Sequence, residues 1–368
     1  MAKKQATSID EIEKELGIHS LCGHELLEGP RISSGLDAFD DMMGGGWPEG
    51  KNAEVYALEG VGKSGLMYSS LASVQRAWRA AGGIEGDGKE GGMVDLERKT
   101  ETKYVKKFYN LDLPYPDEKG NIVRTGIRIY KPRTAEESLN LLMRLVDTGK
   151  FSFLCVDSAP LLVPEDEYNG QVGDQSRQKQ AKLVSQALRM LLARADDAKT
   201  SIVFVNQLRK TGERRGMRGM MVPIYETIGA YSLRYLCCFR IWAGRKGMLY
   251  NKAKEAIGHN VMFRIEKDQC SGRSWESCIV PFYKAGGFCP VTSTIEKAIV
   301  GDVIVQSGAW FKYNGQSIAQ GMDNLRTWAL NPENAETFKQ IKALVQNVKT
   351  DNAEELSEPS SEYDDGEF

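Results

Sequence analysis

A chain of 368 residues exceeds one typical domain, and 41% hydrophobic content suffices for a sizeable core, so one large domain with smaller attachments is expected. Seven cysteines, odd in number and without metal-ligand spacing, argue against a disulfide framework or a zinc module and suit reduced thiols; the lone Cys22-x-His24 pair reads as incidental. The net charge of -2 hides a segregation: Asp351–Phe368 carries eight carboxylates and no Lys or Arg, leaving 42 acidic against 48 basic residues in positions 1–350. A mildly basic body with an acidic tail suits a polyanion binder whose tail competes with its ligand, and equally a solvated tail that aids solubility. No window approaches a membrane span and Met1-Ala-Lys-Lys leads into a polar helix, so a soluble chain without a membrane partner is expected.

In chain order, Ser8-Ile-Asp-Glu11 is a capping-box pattern, with Ile9, Ile12 and Leu16 on one face of a short helix stopped by Gly17. So short a helix needs a surface to pack on, in its own chain or in a neighbouring subunit. After the turn-rich Gly44–Gly50, a strand over Asn52–Leu58 leads into Ala57-Leu-Glu-Gly-Val-Gly-Lys-Ser64 and a helix starting near Gly62, whose Met67, Leu71, Val74 and Trp78 share a face. A glycine-rich connector over Ala81–Gly92 and an excursion over Leu111–Thr125 follow. Helix Ala135–Thr148, strand Phe151–Asp157, helix Gln178–Ala195 and strand Ser201–Gln207 then alternate as in a mostly parallel sheet covered on both faces. From Met262 the pattern turns to hairpin-like runs (Met262–Glu266, Trp275–Tyr283), and past a boundary near Ala285–Gly287 to a compact, largely helical piece over Thr294–Val345.

The glycine-bearing turn reads as a phosphate-binding loop, in which Glu59, Gly60, Val61, Gly62 and Gly65 supply backbone N–H groups at a helix N-terminus. Lys63 then reaches the β- and γ-phosphates and Ser64 ligates Mg²⁺; Ala57 replaces the usual first glycine. Hydrolysis of a nucleoside triphosphate also needs a metal shell, an orienter for water and a reporter of the γ-phosphate. Asp157, Glu97 and Gln207, each at the end of a strand-like run, are the candidates for these roles in turn, Glu97 as the group that polarises water. Glu97 also fits a surface carboxylate in a charged run, and Gln207 an ordinary strand-ending amide. Directly after Gln207, Leu208–Met221 holds five basic residues (Arg209, Lys210, Arg214, Arg215, Arg218) with three glycines and three methionines, too glycine-rich for a stable helix. A flexible basic loop is expected there, tied to the γ-phosphate reporter, so that affinity for a phosphodiester backbone follows nucleotide state. Met220 and its apolar neighbours are candidates to wedge between bases.

These residues resemble the bacterial RecA recombinase family and point to a bacteriophage-type member of it. The likeness runs from about Glu11 to Val345 through Ile32–Asp37, Gly45–Lys51, the phosphate loop, Val156-Asp-Ser158, Gly173-Asp174, Ser185–Arg189 and Val205-Asn-Gln207. Gly308–Gly321, with Trp328, Asn331 and Pro332, is similar to the family's C-terminal lobe. The resemblance implies an α/β fold: a RecA-type ATPase core over 32–285 with two DNA-binding loops, an N-terminal helix and linker over 1–31 for polymerisation, a small α+β lobe over 286–348 and an acidic disordered tail over 349–368. It implies a DNA-dependent ATPase using ATP and Mg²⁺ that forms a helical filament on single-stranded DNA, searches for homologous double-stranded DNA and exchanges strands in the cytoplasm of a bacterial or phage-infected cell. Glu97 matches the catalytic glutamate, Gln207 the γ-phosphate switch, Tyr104 the aromatic on adenine, and Glu101 a neighbouring acidic position. Glu165–Asp174, with Gly170 and Gly173, matches the first DNA loop and Arg209–Gly229 the second; Lys182 and Arg189 match DNA-facing positions on the intervening helix. An acidic tail is a family habit, here a candidate contact for single-strand-binding or mediator proteins.

Two departures stand out. Gly229-Ala-Tyr231 replaces the family's Gly-Gly-Asn, and Glu266-Lys-Asp268 replaces its Lys-x-Lys, leaving Lys267 to reach a neighbour's ATP in a shifted register. Two other readings stay open: a filament that coats DNA with little hydrolysis, and a ring-forming helicase-type motor on the same core.

Overall fold

A computed structural model describes residues 29–170, 177–215, 221–228, 231–251 and 253–346. The expected helix near Ser8–Leu16, the acidic tail, and Gly173, Arg218, Met220 and Gly229 lie outside the described residues. The described residues from Arg31 onward form one compact unit. Its elements run β1 (Arg31–Ile32), α1 (Asp37–Met42), β2 (Trp47–Pro48), β3 (Asn52–Ala57), α2 (Lys63–Ala80), β4 (Glu90–Asp95), α3 (Thr102–Tyr109), β5 (Tyr115–Pro116), β6 (Ile122–Val123), β7 (Ile127–Tyr130), α4 (Ala135–Asp147) and β8 (Phe151–Asp157). They continue with α5 (Glu165–Asn169), α6 (Arg177–Ala198), β9 (Ser201–Arg215), β10 (Met221–Thr227), α7 (Tyr231–Leu236), β11 (Phe239–Tyr250), β12 (Ala256–Asp268), β13 (Ser277–Tyr283) and β14 (Gly287–Phe288). Last come α8 (Pro290–Val300), β15 (Val305–Ser307), β16 (Trp310–Tyr313), β17 (Gln316–Gln320), α9 (Met322–Leu330) and α10 (Ala335–Gln346).

The central sheet has the order β14-β13-β12-β11-β3-β9-β8-β4-β7. The six strands from β11 to β7 are parallel, and β12, β13 and β14 extend the sheet antiparallel. Alternation along the central strands builds two cores at once. On one face Phe153, Cys155, Val203 and Val205 meet Leu66, Met67, Leu71 and Val74 of α2. On the other, Leu154, Val156, Ile202 and Phe204 meet Leu139 and Leu142 of α4 and Leu188 and Leu191 of α6. Because parallel strands enter from the same side, the C-terminal ends of β3, β4, β8 and the parallel part of β9 share one edge. That edge carries the phosphate loop, Glu97, Asp157 and Gln207.

The connector after α2 is shorter than the glycines suggest, since Glu90, Gly91 and Gly92 belong to β4 and are buried. A Cβ at Gly92 would lie 2.6 Å from Leu154 Cδ2 across the sheet, so a side chain there would force Leu154 to shift. The excursion over Leu111–Thr125 carries the two-rung hairpin β5–β6, exposed at Tyr115 and Ile122. The C-terminal piece is the small α+β lobe that the resemblance implies, with a sheet beside the expected helices. Its helices α8, α9 and α10 pack with a three-stranded sheet, β15-β16-β17, around Ile295, Phe311, Leu325 and Ile341. The hairpin between β16 and β17 turns on Asn314-Gly315, whose φ values of 48° and 79° are those of a two-residue turn.

Candidate active site

At the shared edge, β3 ends at Ala57 and α2 starts at Lys63. Gly62 precedes the helix with φ 122° and no side chain caps it, so the first N–H groups face the loop's concavity. Lys63 is buried, and its Nζ donates to the carbonyls of Ala57 (3.1 Å) and Leu58 (2.8 Å). Burial pushes the Lys63 ammonium below its ordinary range, against the pull of Asp157, Glu97 and Glu59. An incoming phosphate would supply the counter-charge that burial calls for. Two contacts that the motif did not reveal brace the loop from outside: Arg245 Nη2 donates to Gly60 O (2.9 Å), and a ring nitrogen of His259 lies 3.1 Å from Val61 O.

Asp157, at the end of β8, is raised to about 6 by burial, with the Ser64 hydroxyl donating to it and Glu97 and Asp95 adding repulsion. Ser64 and Asp157 are therefore adjacent, as oxygen donors to one hard cation must be. No cluster of three or more His, Cys, Asp or Glu suited to a metal occurs among the described residues, so phosphate and water oxygens would have to complete any Mg²⁺ shell. Glu97 lies just past β4. Its Oε1 accepts from Gln207 Nε2 (3.0 Å) and Ser158 Oγ (3.2 Å), and its Oε2 pairs with Lys99 Nζ at 2.5 Å.

A cavity of about 470 Å³ joins these groups, lined by Glu59, Gly60, Gly62, Lys63, Ser64, Gly65, Glu97, Glu101, Tyr104, Asp157 and Gln207, with Tyr68, Asp95, Lys99 and Phe282. Tyr104 sits partly exposed at one wall, its ring edge-on to Phe108 with centroids 4.8 Å apart. Phe282, from β13, was not legible as a lining residue; only the antiparallel extension of the sheet brings it there. A second cavity of about 430 Å³, lined by Arg133, Glu136, Glu165 and Tyr168 among others, lies away from this chemistry.

Past Gln207 the structure corrects the expected flexible loop. β9 continues to Arg215 and pairs antiparallel with β10, from Leu208↔Thr227 to Arg215↔Met221, and Ile228 N donates to Gln207 O (2.9 Å). Glycines argue against a helix, but the alternation of β10 (Val222, Ile224) gives a strand partner that spacing around the glycines did not reveal. Arg209, Lys210, Arg214 and Arg215 are exposed on this hairpin. Lys182 and Arg189 are exposed seven residues apart on α6, opposite the buried Val184, Leu188 and Leu191. Gly170 is exposed after α5. Lys267 lines no part of the cavity: it is paired with Arg240 across the β11–β12 ladder, and its Nζ donates to the carbonyls of Arg234 (3.2 Å) and Tyr235 (2.8 Å).

A parallel α/β sheet with a phosphate loop, a strand-end Asp and Glu, and a Gln that continues into a basic hairpin defines the class: a nucleotide-binding protein of the RecA-type fold. The family model of the RecA N-terminal domain matches residues 3–286 and that of the RecA C-terminal domain residues 293–349. The chain belongs to the RecA family, the proteins of homologous recombination. It is 27% identical to Protein RecA of Malacoplasma penetrans over 340 residues, covering 92% of this chain and 94% of that one. It is 29% identical to Protein RecA of Leptospira biflexa over 341 residues (90% and 80%) and 28% identical to that of Bordetella pertussis over 376 residues (100% and 96%). No helix among the described residues is long and apolar enough to cross a membrane.

Proposed function

We propose that this chain is a DNA-dependent ATPase that polymerises on single-stranded DNA and exchanges strands with homologous double-stranded DNA. The observation that carries the proposal is the 3.0 Å contact of Gln207 Nε2 with Glu97 Oε1, because Gln207 belongs to the strand that becomes the basic hairpin. Lys63 and the loop N–H groups bind the phosphates, and Tyr104 packs on the base beside Glu101. Ser64 and Asp157 would hold Mg²⁺, which supplies charge neutralisation on the β- and γ-phosphates. Glu97 accepts a proton from the attacking water. Gln207 exchanges its bond to Glu97 for one to the γ-phosphate and carries the hairpin with it, so that Arg209, Lys210, Arg214 and Arg215, with Arg218, Met220 and Gly229 beyond them, engage DNA in the ATP state. Gly170, just after α5, and Lys182 and Arg189 on α6 serve the same strand, together with Gly173.

The test is ATP turnover of the full chain with and without single-stranded DNA, beside strand exchange between homologous DNAs and electron microscopy of filaments. Turnover that needs single-stranded DNA is expected; brisk DNA-independent turnover contradicts the proposal. One observation favours the second reading, a DNA-coating filament with little hydrolysis: the Lys267 cation is engaged by carbonyls of its own chain. Nucleotide-dependent DNA binding with negligible turnover selects it. We also propose that the tail competes with DNA or recruits a single-strand-binding or mediator protein. Deletion of Asp351–Phe368 then tightens DNA binding, and unchanged binding leaves a solubility tail.

A further inference from the structure

Glu54 is a carboxylate in the middle of the central strand β3, where every residue is buried. Its Oε1 accepts from Asn206 Nδ2 (2.7 Å) and its Oε2 from Arg240 Nε (2.6 Å), joining β9, β3 and β11. The Arg240 guanidinium carbon stands 4.4 Å from the Tyr56 ring centroid, which completes a polar layer across the three strands. Asn206 is committed at both ends. Its Oδ1 accepts the Gln207 backbone N–H at 2.8 Å while its Nδ2 holds Glu54. Paired with Tyr56 on β3, it stands at the last fully buried position before the strand emerges as the hairpin. A buried hydrogen-bonded network favours one arrangement of its members, because displacing one leaves a desolvated polar or charged atom short of a partner.

We propose that Asn206, held by Glu54 and Arg240, is the positioning residue that sets Gln207 against Glu97 and makes the hairpin follow the nucleotide. Asn206 itself touches neither phosphate nor DNA. It anchors the fulcrum about which the Gln207 amide and the hairpin move together, with β11 as the bar: Arg240, near its start, holds Glu54, and Arg245, five residues further along, holds the phosphate loop at Gly60 O. The inference rests on the nucleotide-switch reading above.

The test uses the full chain carrying Asn206→Ala, with Asn206→Asp and Glu54→Gln alongside. Two readouts are taken: amide hydrogen exchange in Leu208–Arg215 and Met221–Thr227 with and without a non-hydrolysable ATP analogue, and turnover with and without single-stranded DNA. In the parent chain the analogue is expected to change exchange across the hairpin. In Asn206→Ala that change is lost and DNA-stimulated turnover falls about 10- to 100-fold, while affinity for the analogue stays within about twofold. Should Glu54→Gln fail to fold with Arg240 left unpaired, Asn206→Ala still decides. A hairpin response and a DNA-stimulation ratio that survive Asn206→Ala overturn the proposal, as does a parent hairpin that ignores the analogue. A parent chain without DNA-stimulated turnover refutes the enzymatic reading instead, and the exchange data then judge the coupling by themselves.

Discussion

The two halves of strand β9 are one continuous backbone in two environments. From Ser201 to Asn206 every residue is buried, between β3 and β8, with cores on both faces. From Leu208 to Arg215 the strand pairs, among the described residues, with β10 alone, and its side chains are half-buried or exposed. Gln207 is the hinge between them. On the proposed switch, the buried root and the solvent-facing hairpin would act as a lever, so that a small change at the Glu97 contact would displace the arginines rather than be absorbed in the core. Rigid packing upstream is thus a condition for sensitivity downstream.

The sharpest way to break the comparison is at the shared edge. Glu97→Ala should lower ATP turnover by about 10²- to 10⁴-fold, as removal of a positioned base does, with nucleotide affinity retained; Lys63→Ala should abolish turnover by abolishing phosphate binding. Single-turnover rates and nucleotide titration separate the two, and a Glu97→Ala chain with parental turnover would remove Glu97 from its role. In the buried half, Phe204→Ala should cost about 3–5 kcal/mol of folding stability, whereas the exposed Met221→Ala should stay within about 0.5 kcal/mol. Urea melts of both variants check this; comparable losses would mean that the hairpin is part of the core.

Arg214→Ala combined with Arg215→Ala should leave stability alone, weaken DNA binding and reduce the slope of log affinity against log salt by about 2. A salt titration with an unchanged slope would detach these residues from the phosphodiester backbone. The smallest effect belongs far from the lever, in the C-terminal lobe, where burial raises Glu296 to about 7. Folding raises this carboxyl above its unfolded value, so the protonated form is favoured in the folded state and stability falls as pH rises through about 4.5 to 7. Glu296→Gln should therefore raise stability at pH 8 by about 1–2 kcal/mol and change little at pH 4. Melting curves at the two pH values decide; equal effects at both would place the carboxyl in solvent.

Local chemistry made much of this molecule legible in the sequence. The phosphate loop was readable because glycine, lysine and serine at fixed offsets between a strand and a helix have few other uses, and Asp157 because a carboxylate ending an apolar run has few partners but a cation. The parallel sheet was readable from strand and helix periodicities that alternate. Asn314-Gly315 carried its turn in plain sight, yet the helical character around it masked the sheet it closes. Other features depend on which strands become neighbours. Nothing local in Arg245, His259 or Phe282 points to the phosphate loop: Arg245 reaches it from β11, the parallel neighbour of β3, and His259 and Phe282 only through the antiparallel strands β12 and β13. Glu54 is a charge inside a buried strand, and nothing local singles it out, because its partners Asn206 and Arg240 lie 152 and 186 residues away. The sequence by itself determined the chemical groups and their place at strand ends, because backbone periodicity and loop geometry are short-range. Only the tertiary structure decided that Gln207 meets Glu97 and that the basic segment is a hairpin continuous with its strand, because cross-strand pairing and burial are long-range.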